Sequence, residues 1–397
     1  MVKKDRSTFV NKTYLMQMIP SFYQSHLKSQ LSVAEYLLLN ILVNVIQLIK
    51  EVNLESIANA LPIPILFESR RRKIQRLLSS PKFKVSKIWL PLIAIWLKTY
   101  FQTSQTIYVV IDRTKWSGIN LLMISIVWDK RAIPVCFKLL HQKGNSNLAQ
   151  QISTFSEVLG IFKNYQICVL GDREFCSVKL ADWLDKQGLK FCLRLRKNEY
   201  IQQESQVWSE LKNLGLVSGT SLFLQGVKVT KLKGFGYFNI AAKWKKKIGG
   251  VAPCEGWFIL TNLEGLQVAI SAYKQRFDIE EMFKDFKTSG YNLEDTKVTG
   301  ERLESLILLI AIAHFSATIT GQEIKDKGVQ KYVGRIKEKS RITRRHSSFY
   351  IGLYGYTWSS FWDTCQELVE ELMIINLNKR PYYQRGLRAM RLIQSVF

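Results

Sequence analysis

Apolar positions recur at helical spacing in the first hundred residues, and then the period changes. Residues 32–48 repeat them at the interval of a helix that buries one face. A short helix is predicted over 53–62, ended by Pro62, and another over 67–78. From residue 106 the runs shorten and become β-branched. Ile107 to Ile111 reads as a strand ending at Asp112, and 121–128 and 132–137 follow as strands with short connections, like an antiparallel meander. Residues 147–162 return to helical spacing. Residues 167–170 form a buried-type strand ending in Gly171 and Asp172, then 178–187 reads as a helix and 190–195 as a strand. Both aspartates are expected just past the ends of apolar strands. Between about 197 and 255 the pattern is interrupted by strands at 222–224, 227–232 and 237–244, spaced by Gly226, Gly234 and Gly236. Residues 256–261 read as a strand returning toward the core. Helices are predicted over 303–319 and 358–377.

The most informative stretch runs from Tyr273 to Lys287. Treated as one helix with Tyr273 at zero, it places Arg276 at about −60°, Glu280 at about −20° and Lys287 at about −40°. Ile279, Met282, Phe283 and Phe286 share a neighbouring arc, the buried face. A phenol, a guanidinium, a carboxylate and an ammonium on one narrow stripe suit a site that handles phosphate. A solvated face with i,i+4 charge pairs accounts for Arg276 and Glu280 but not for the alignment of Tyr273 and Lys287 with them. Glu281 falls off the stripe.

These residues carry a family resemblance. The spacing Tyr-x2-Arg-x3-Glu-x6-Lys is similar to the YREK signature of bacterial insertion-sequence DDE transposases, in the group that excises DNA through hairpin ends. The resemblance implies that Glu280 is the third metal-binding carboxylate and that two earlier aspartates stand at strand ends. Asp112 and Asp172 meet that requirement. The order of three strands, helix, strand, helix, strand is that of a ribonuclease-H-like core, in which those strand ends lie side by side. The expected fold is therefore α/β: a mixed sheet with flanking helices, interrupted by a β-rich insertion, with a helical N-terminal domain and a helical C-terminal tail. The expected boundaries are 1–100 for the helical DNA-binding domain, 101–320 for the catalytic domain with its insertion at about 197–255, and 321–397 for the basic C-terminal region.

Charge changes the picture of the partner. The 397 residues carry 57 Lys and Arg against 32 Asp and Glu, a formal net charge of +25, which points to a polyanion. A hydrophobic content of 47% excludes a disordered chain. The six cysteines form no CxxC pair and the four histidines lie far apart, which argues against a zinc site or a disulfide framework. The apolar run 306–313 reads as a buried helix, so no membrane partner is expected. The expected partners are double-stranded DNA, as transposon terminal inverted repeats and target, and a second copy of the chain in a synaptic dimer. The expected location is the bacterial cytoplasm, at the nucleoid.

Phosphodiester cleavage suits two divalent ions held by carboxylates, with Mg²⁺ expected and Mn²⁺ able to replace it. Asp112, Asp172 and Glu280 are the expected ligands. Tyr273, Arg276 and Lys287 would bind the phosphate beside the cut. Phe277, Trp244 and Trp257 are candidates for stacking on a displaced base, against the plain alternative of core packing. Glu174 is either an added carboxylate near the metal or a partner for Arg173. Away from the site, Arg70, Arg71, Arg72, Lys73 and Arg76 lie on the second helix of a pair resembling a helix-turn-helix, and Arg341, Arg344 and Arg345 lie in a basic tail segment. A nuclease of the same fold that does not join strands, and a domesticated DNA-binding protein without catalysis, are the competing readings.

Overall fold

The computed structural model describes residues 19–202, 207–231, 235–246, 255–336, 346–375 and 377–397. Arg341, Arg344 and Arg345 fall outside the described residues. Five helices come first: α1 (Ser21–Gln30), α2 (Val33–Ile49), α3 (Leu54–Ala60), α4 (Phe67–Leu78) and α5 (Leu90–Tyr100). Helix α2 begins where Ser32 and Glu35 close a reciprocal capping box, and ends where Lys50 turns left-handed at φ 57°. Pro91 sits in the first turn of α5, where its missing N–H is not needed. Two buried donors tie this helical region to later parts of the chain. Trp89 Nε1 donates to the Pro134 carbonyl at 2.8 Å, and Gln47 Nε2 to the Ala313 carbonyl at 2.7 Å.

The sheet has ten strands: β1 (Thr106–Trp116), β2 (Ile119–Trp128), β3 (Arg131–Leu139), β4 (Gln166–Gly171), β5 (Lys190–Arg194), β6 (Tyr200–Gln202), β7 (Trp208–Glu210), β8 (Ser221–Val229), β9 (Gly236–Lys243) and β10 (Trp257–Thr261). Their order is β3-β2-β1-β4-β5-β10-β9-β8-β6-β7. Strands β1, β4 and β5 run parallel, joined through helices α6 (Leu148–Phe162) and α7 (Val178–Lys186). Strands β1 to β3 form two tight hairpins. Ser117 and Gly118 turn the first at φ 41° and 80°, and Asp129 and Lys130 the second at φ 46° and 60°. Paired positive φ angles match the right-handed twist of the flanking strands.

Two sequence expectations are corrected here. Strand β1 does not end at Asp112: its pairing with β2 continues from Asp112 opposite Met123 to Trp116 opposite Ile119, so Asp112 lies inside the strand. The segments 222–224 and 227–232 are largely one strand, β8, whose register against β9 shifts between Leu224 and Val227. Gly226 adopts φ 56° at that bulge. The strands of the insertion extend the main sheet through β10 rather than forming a separate layer.

Helices α8 (Leu266–Lys274) and α9 (Asp278–Phe286) come next, then α10 (Gly300–Asp326), α11 (Ser348–Ile375) and α12 (Arg380–Gln394). Helix α10 is apolar and long enough to cross a bilayer, yet its residues Leu306 to Ala313 are buried inside the protein. The chain forms two compact units, Ser21–Phe315 and Ser316–Phe397. The first holds helices α1–α5 together with the sheet, so the change of pattern near residue 100 is not a boundary between compact bodies. The second is centred on Ile324, Val329, Ile351, Ala389 and Ile393. Within it, Gly321 and Gly352 meet where backbones touch: a Cβ on Gly321 would strike the Ser348 carbonyl, and one on Gly352 the Ala317 carbonyl.

Candidate active site

Strands β1 and β4 are paired in parallel register, Ile111 beside Gly171. The next residue on each is an aspartate, so Asp112 and Asp172 emerge side by side, one strand spacing apart. Asp172 is held in a turn after β4, where its Oδ1 accepts the Glu174 N–H at 2.8 Å. Asp112 is buried, and its Oδ1 accepts the Arg113 N–H at 2.7 Å.

The third carboxylate arrives from α9. Arg276 links it to the strands: its Nη1 donates to Asp112 Oδ2 at 2.9 Å and its Nη2 donates to Glu280 Oε1. Glu280 is the open side of the group, its side chain 46% exposed. Burial pushes the Asp112 carboxyl up to about 7; Arg276 pulls it down, and Asp172 and Glu280 push it further up. An isolated buried carboxylate is costly, and Arg276 supplies the opposing charge. Among the described residues, no three His, Cys, Asp or Glu side chains are already gathered into an ion-holding cluster. The guanidinium stands between Asp112 and Glu280.

The stretch 273–287 is not one helix. Helix α8 ends at Lys274, a 3₁₀ turn covers Gln275–Phe277, and α9 ends at Phe286. A 3₁₀ turn advances about 120° per residue, so a uniform wheel misplaces the residues after it. Tyr273, Arg276 and Glu280 still reach one place. Tyr273 is buried, and burial pushes its phenol up to about 12, with Arg276, Arg194, Asp172 and Asp112 all within electrostatic range. Its hydroxyl has no hydrogen-bond partner. Lys287 lies beyond the end of α9, where its Nζ pairs with Glu294 at 2.8 Å and sits 5.6 Å from the Trp116 ring centre. Glu281 turns away, to Lys284 and Arg131.

Beside the carboxylates is an aromatic shelf. The Trp257 and Phe277 rings lie 5.7 Å apart at 30°, and Tyr273 packs edge-on to Trp257 at 5.3 Å. Lys245 lies over Trp257 at 5.2 Å and Arg276 over Phe277 at 5.0 Å. Phe277 is exposed and Trp257 half-buried. Trp244, half-buried, follows β9 and pairs its backbone with Gly219 and Thr220.

The pattern did not reveal the clamp under both aspartates. Arg113, on the opposite face of β1 from Asp112, donates through Nε to both oxygens of Glu174 at 2.9 Å. Glu174 also accepts from Ser146 N at 2.8 Å and Ser146 Oγ at 2.9 Å. Asn120 and Asn145 take two more Arg113 donors. Glu174 therefore pairs with Arg113 and not with Arg173, which goes to Glu255 together with Arg194. The usable signal was position, since Arg113 follows one aspartate and Glu174 stands two after the other. In the helix pair α3–α4, Arg70 bonds the Leu61 carbonyl, Arg71 bonds Glu55 and Arg72 meets Glu68, while Lys73 and Arg76 are exposed.

Residues 104–316, more than half of the chain, match the family described as transposase DDE domain. No curated protein matches the chain. Among solved structures, the piggyBac transposase synaptic complex with hairpin DNA is similar at a TM-score of 0.42 and 14% identity, over 88% of this chain and 78% of that one.

Proposed function

The chain belongs to the transposase DDE domain family, and from that premise we propose that it cuts DNA at transposon ends and joins them to target DNA. The observation that carries the proposal is that Asp172 and Glu280 both lie within electrostatic reach of Asp112. Asp112 and Asp172 come from adjacent parallel strands, and Glu280 is tied to Asp112 through Arg276. We further assign the chain to the insertion-sequence group that proceeds through a hairpin, on the sequence Tyr273, Arg276, Glu280 and Lys287. The core strand order β3-β2-β1-β4-β5 supports a ribonuclease-H-like catalytic domain. A bacterial cytoplasmic, nucleoid-bound location and a synaptic dimer belong to the same reading.

The donor set fits a hard divalent cation. It consists of carboxylate oxygens, one of them buried, with an excess of negative charge that a single guanidinium offsets. Two Mg²⁺ or Mn²⁺ ions held by Asp112, Asp172 and Glu280 would activate the attacking oxygen and offset charge on the leaving one. Arg276 then has a second use. Released from Asp112 and Glu280, its planar fork can take a phosphate of the flanking strand. Tyr273 offers its unpaired hydroxyl beside the same position. Lys287 must leave Glu294 to reach phosphate. The Trp257–Phe277 shelf gives a displaced base a surface to stack on, worth about 1–3 kcal/mol per base.

The test is cleavage and joining on end-sequence DNA. Asp112→Asn should abolish nicking in Mg²⁺ and in Mn²⁺ while DNA binding persists. Wild-type protein supplied with pre-cut ends should join them to target. Nicking without joining would make the chain a nuclease, and unchanged nicking by Asp112→Asn would remove the site.

A further inference from the structure

Helix α9 has nine residues, and no side chain caps its first turn. A helix this short is unstable alone in water, so packing must fix where it lies and how it is rotated. Rotation matters because Glu280 stands on the open side of the helix, ion-paired to Arg276.

The far side of α9 carries a buried acid. Asp285 lies five residues after Glu280, about 140° around the axis. It is 4% exposed and shares the buried side with Ile279, Met282 and Phe286. Two groups from other parts of the fold converge on one of its oxygens. Arg131, the first residue of β3, donates from Nε to Asp285 Oδ2 at 2.8 Å. His314 of α10, fully buried, donates from Nε2 to the same oxygen at 3.4 Å. A carboxylate only accepts, so that nitrogen carries the hydrogen. Burial holds the His314 imidazole below its ordinary range although Asp285 pulls it up, so His314 is a neutral donor and Arg131 supplies the charge. The His314 ring also packs against Phe286 at 5.3 Å. Apolar packing alone tolerates small shifts of a helix at little cost. An ion pair buried on one side of the helix does not, because a shift leaves its charge unpaired.

We infer that Asp285 is a positioning residue for the cutting reaction: gripped by Arg131 and His314, it pins the rotation of α9 and so sets where Glu280 stands. The inference rests on the DNA-cutting reading for the task of Glu280 and not for the grip itself. Hydrogen exchange of the DNA-free full chain tests the grip, and nicking of end-sequence DNA tests its use. Asp285→Asn keeps the shape and removes the charge. Arg131→Met with Asp285→Leu removes both charges and should still fold, since a buried pair exchanged for apolar groups is often neutral. In both variants the amides of 282–286 should exchange on the order of tenfold faster, while those of β1 stay as in the wild type. Nicking should lose tenfold or more in kcat with KM for the DNA unchanged. Glu281→Gln, which removes an exposed contact of the same Arg131 at 3.8 Å, should change neither. Unchanged α9 exchange in the paired variant, exchange raised equally in β1, or full kcat despite a loosened α9 would each overturn the assignment. A wild type that nicks no DNA would instead sink the cutting reading, and the exchange of α9 would still decide the grip.

Discussion

Replacing Glu174 by Ala should separate the architecture of the site from its chemistry. The side chains of Glu174 and Arg113 are 11% and 13% exposed, so this is a buried pair and not a surface one. Truncation leaves the Arg113 guanidinium without its carboxylate and the Ser146 N–H without its acceptor. Breaking a buried pair from one side costs about 3–5 kcal/mol. Asn120 and Asn145 still hold Arg113, which favours the lower end. For a unit of this size each kcal/mol moves the melting midpoint by about 2 °C, so the expected drop is about 6–10 °C. The assay pairs thermal melting with nicking of end-sequence DNA well below the melting point. Nicking should fall at least tenfold because Glu174 positions the Asp172 turn. The double variant Arg113→Met with Glu174→Leu should recover most of the stability, since a buried pair replaced by apolar groups is often neutral, yet it should not recover nicking. A loss under 1 kcal/mol from Glu174→Ala would mean the pair behaves as a surface contact, and the clamp would be refuted.

Three further outcomes are expected. Glu280→Gln should abolish nicking while Glu281→Gln, which loses only contacts to Lys284 and Arg131, retains most of it; equal loss in a nicking assay would reverse the choice of carboxylate. Gly352→Val should unfold the C-terminal unit, because the added atoms would meet the Ala317 carbonyl, and protease digestion should then clip the chain beyond residue 316; a resistant variant would contradict the close crossing. Burial raises the Asp278 carboxyl to about 6. A raised acid favours the fold below its unfolded value near 3.8, and that contribution is lost as pH rises through about 6. Asp278→Asn should therefore be more stable than the wild type in urea at pH 8, with the gap closing toward pH 4; a gap independent of pH would remove the burial argument.

The sequence was most legible where local chemistry and tertiary pairing agree. The β-branched run before Asp112 and the run before Asp172 made strands because each is buried on both faces. The end of β1 was misplaced because Arg113 to Trp116 looks polar, and it stays a strand only through its hairpin with β2. The Tyr273 stripe was half legible. Tyr273 and Glu280 both lie within electrostatic reach of Arg276, whereas Lys287 pairs with Glu294, and a fixed 100° step cannot register the 3₁₀ turn between α8 and α9. The Arg113–Glu174 clamp was out of reach because it joins residues 61 positions apart. Nothing in their local pattern sets them apart from surface charges. The α11 helix was expected to begin at 358, but it starts at Ser348. Its early residues include glycines, which propensity disfavours and the contact with α10 requires.

Because strands β5 and β10 share one hydrogen-bond ladder, the shelf that carries Trp257 has no hinge separating it from the Asp172 strand. The outlying strands and the Asp172 strand are therefore parts of one ten-stranded sheet. On the proposed reading, DNA gripped at β9 or β10 would be held by the same sheet that positions Asp112 and Asp172.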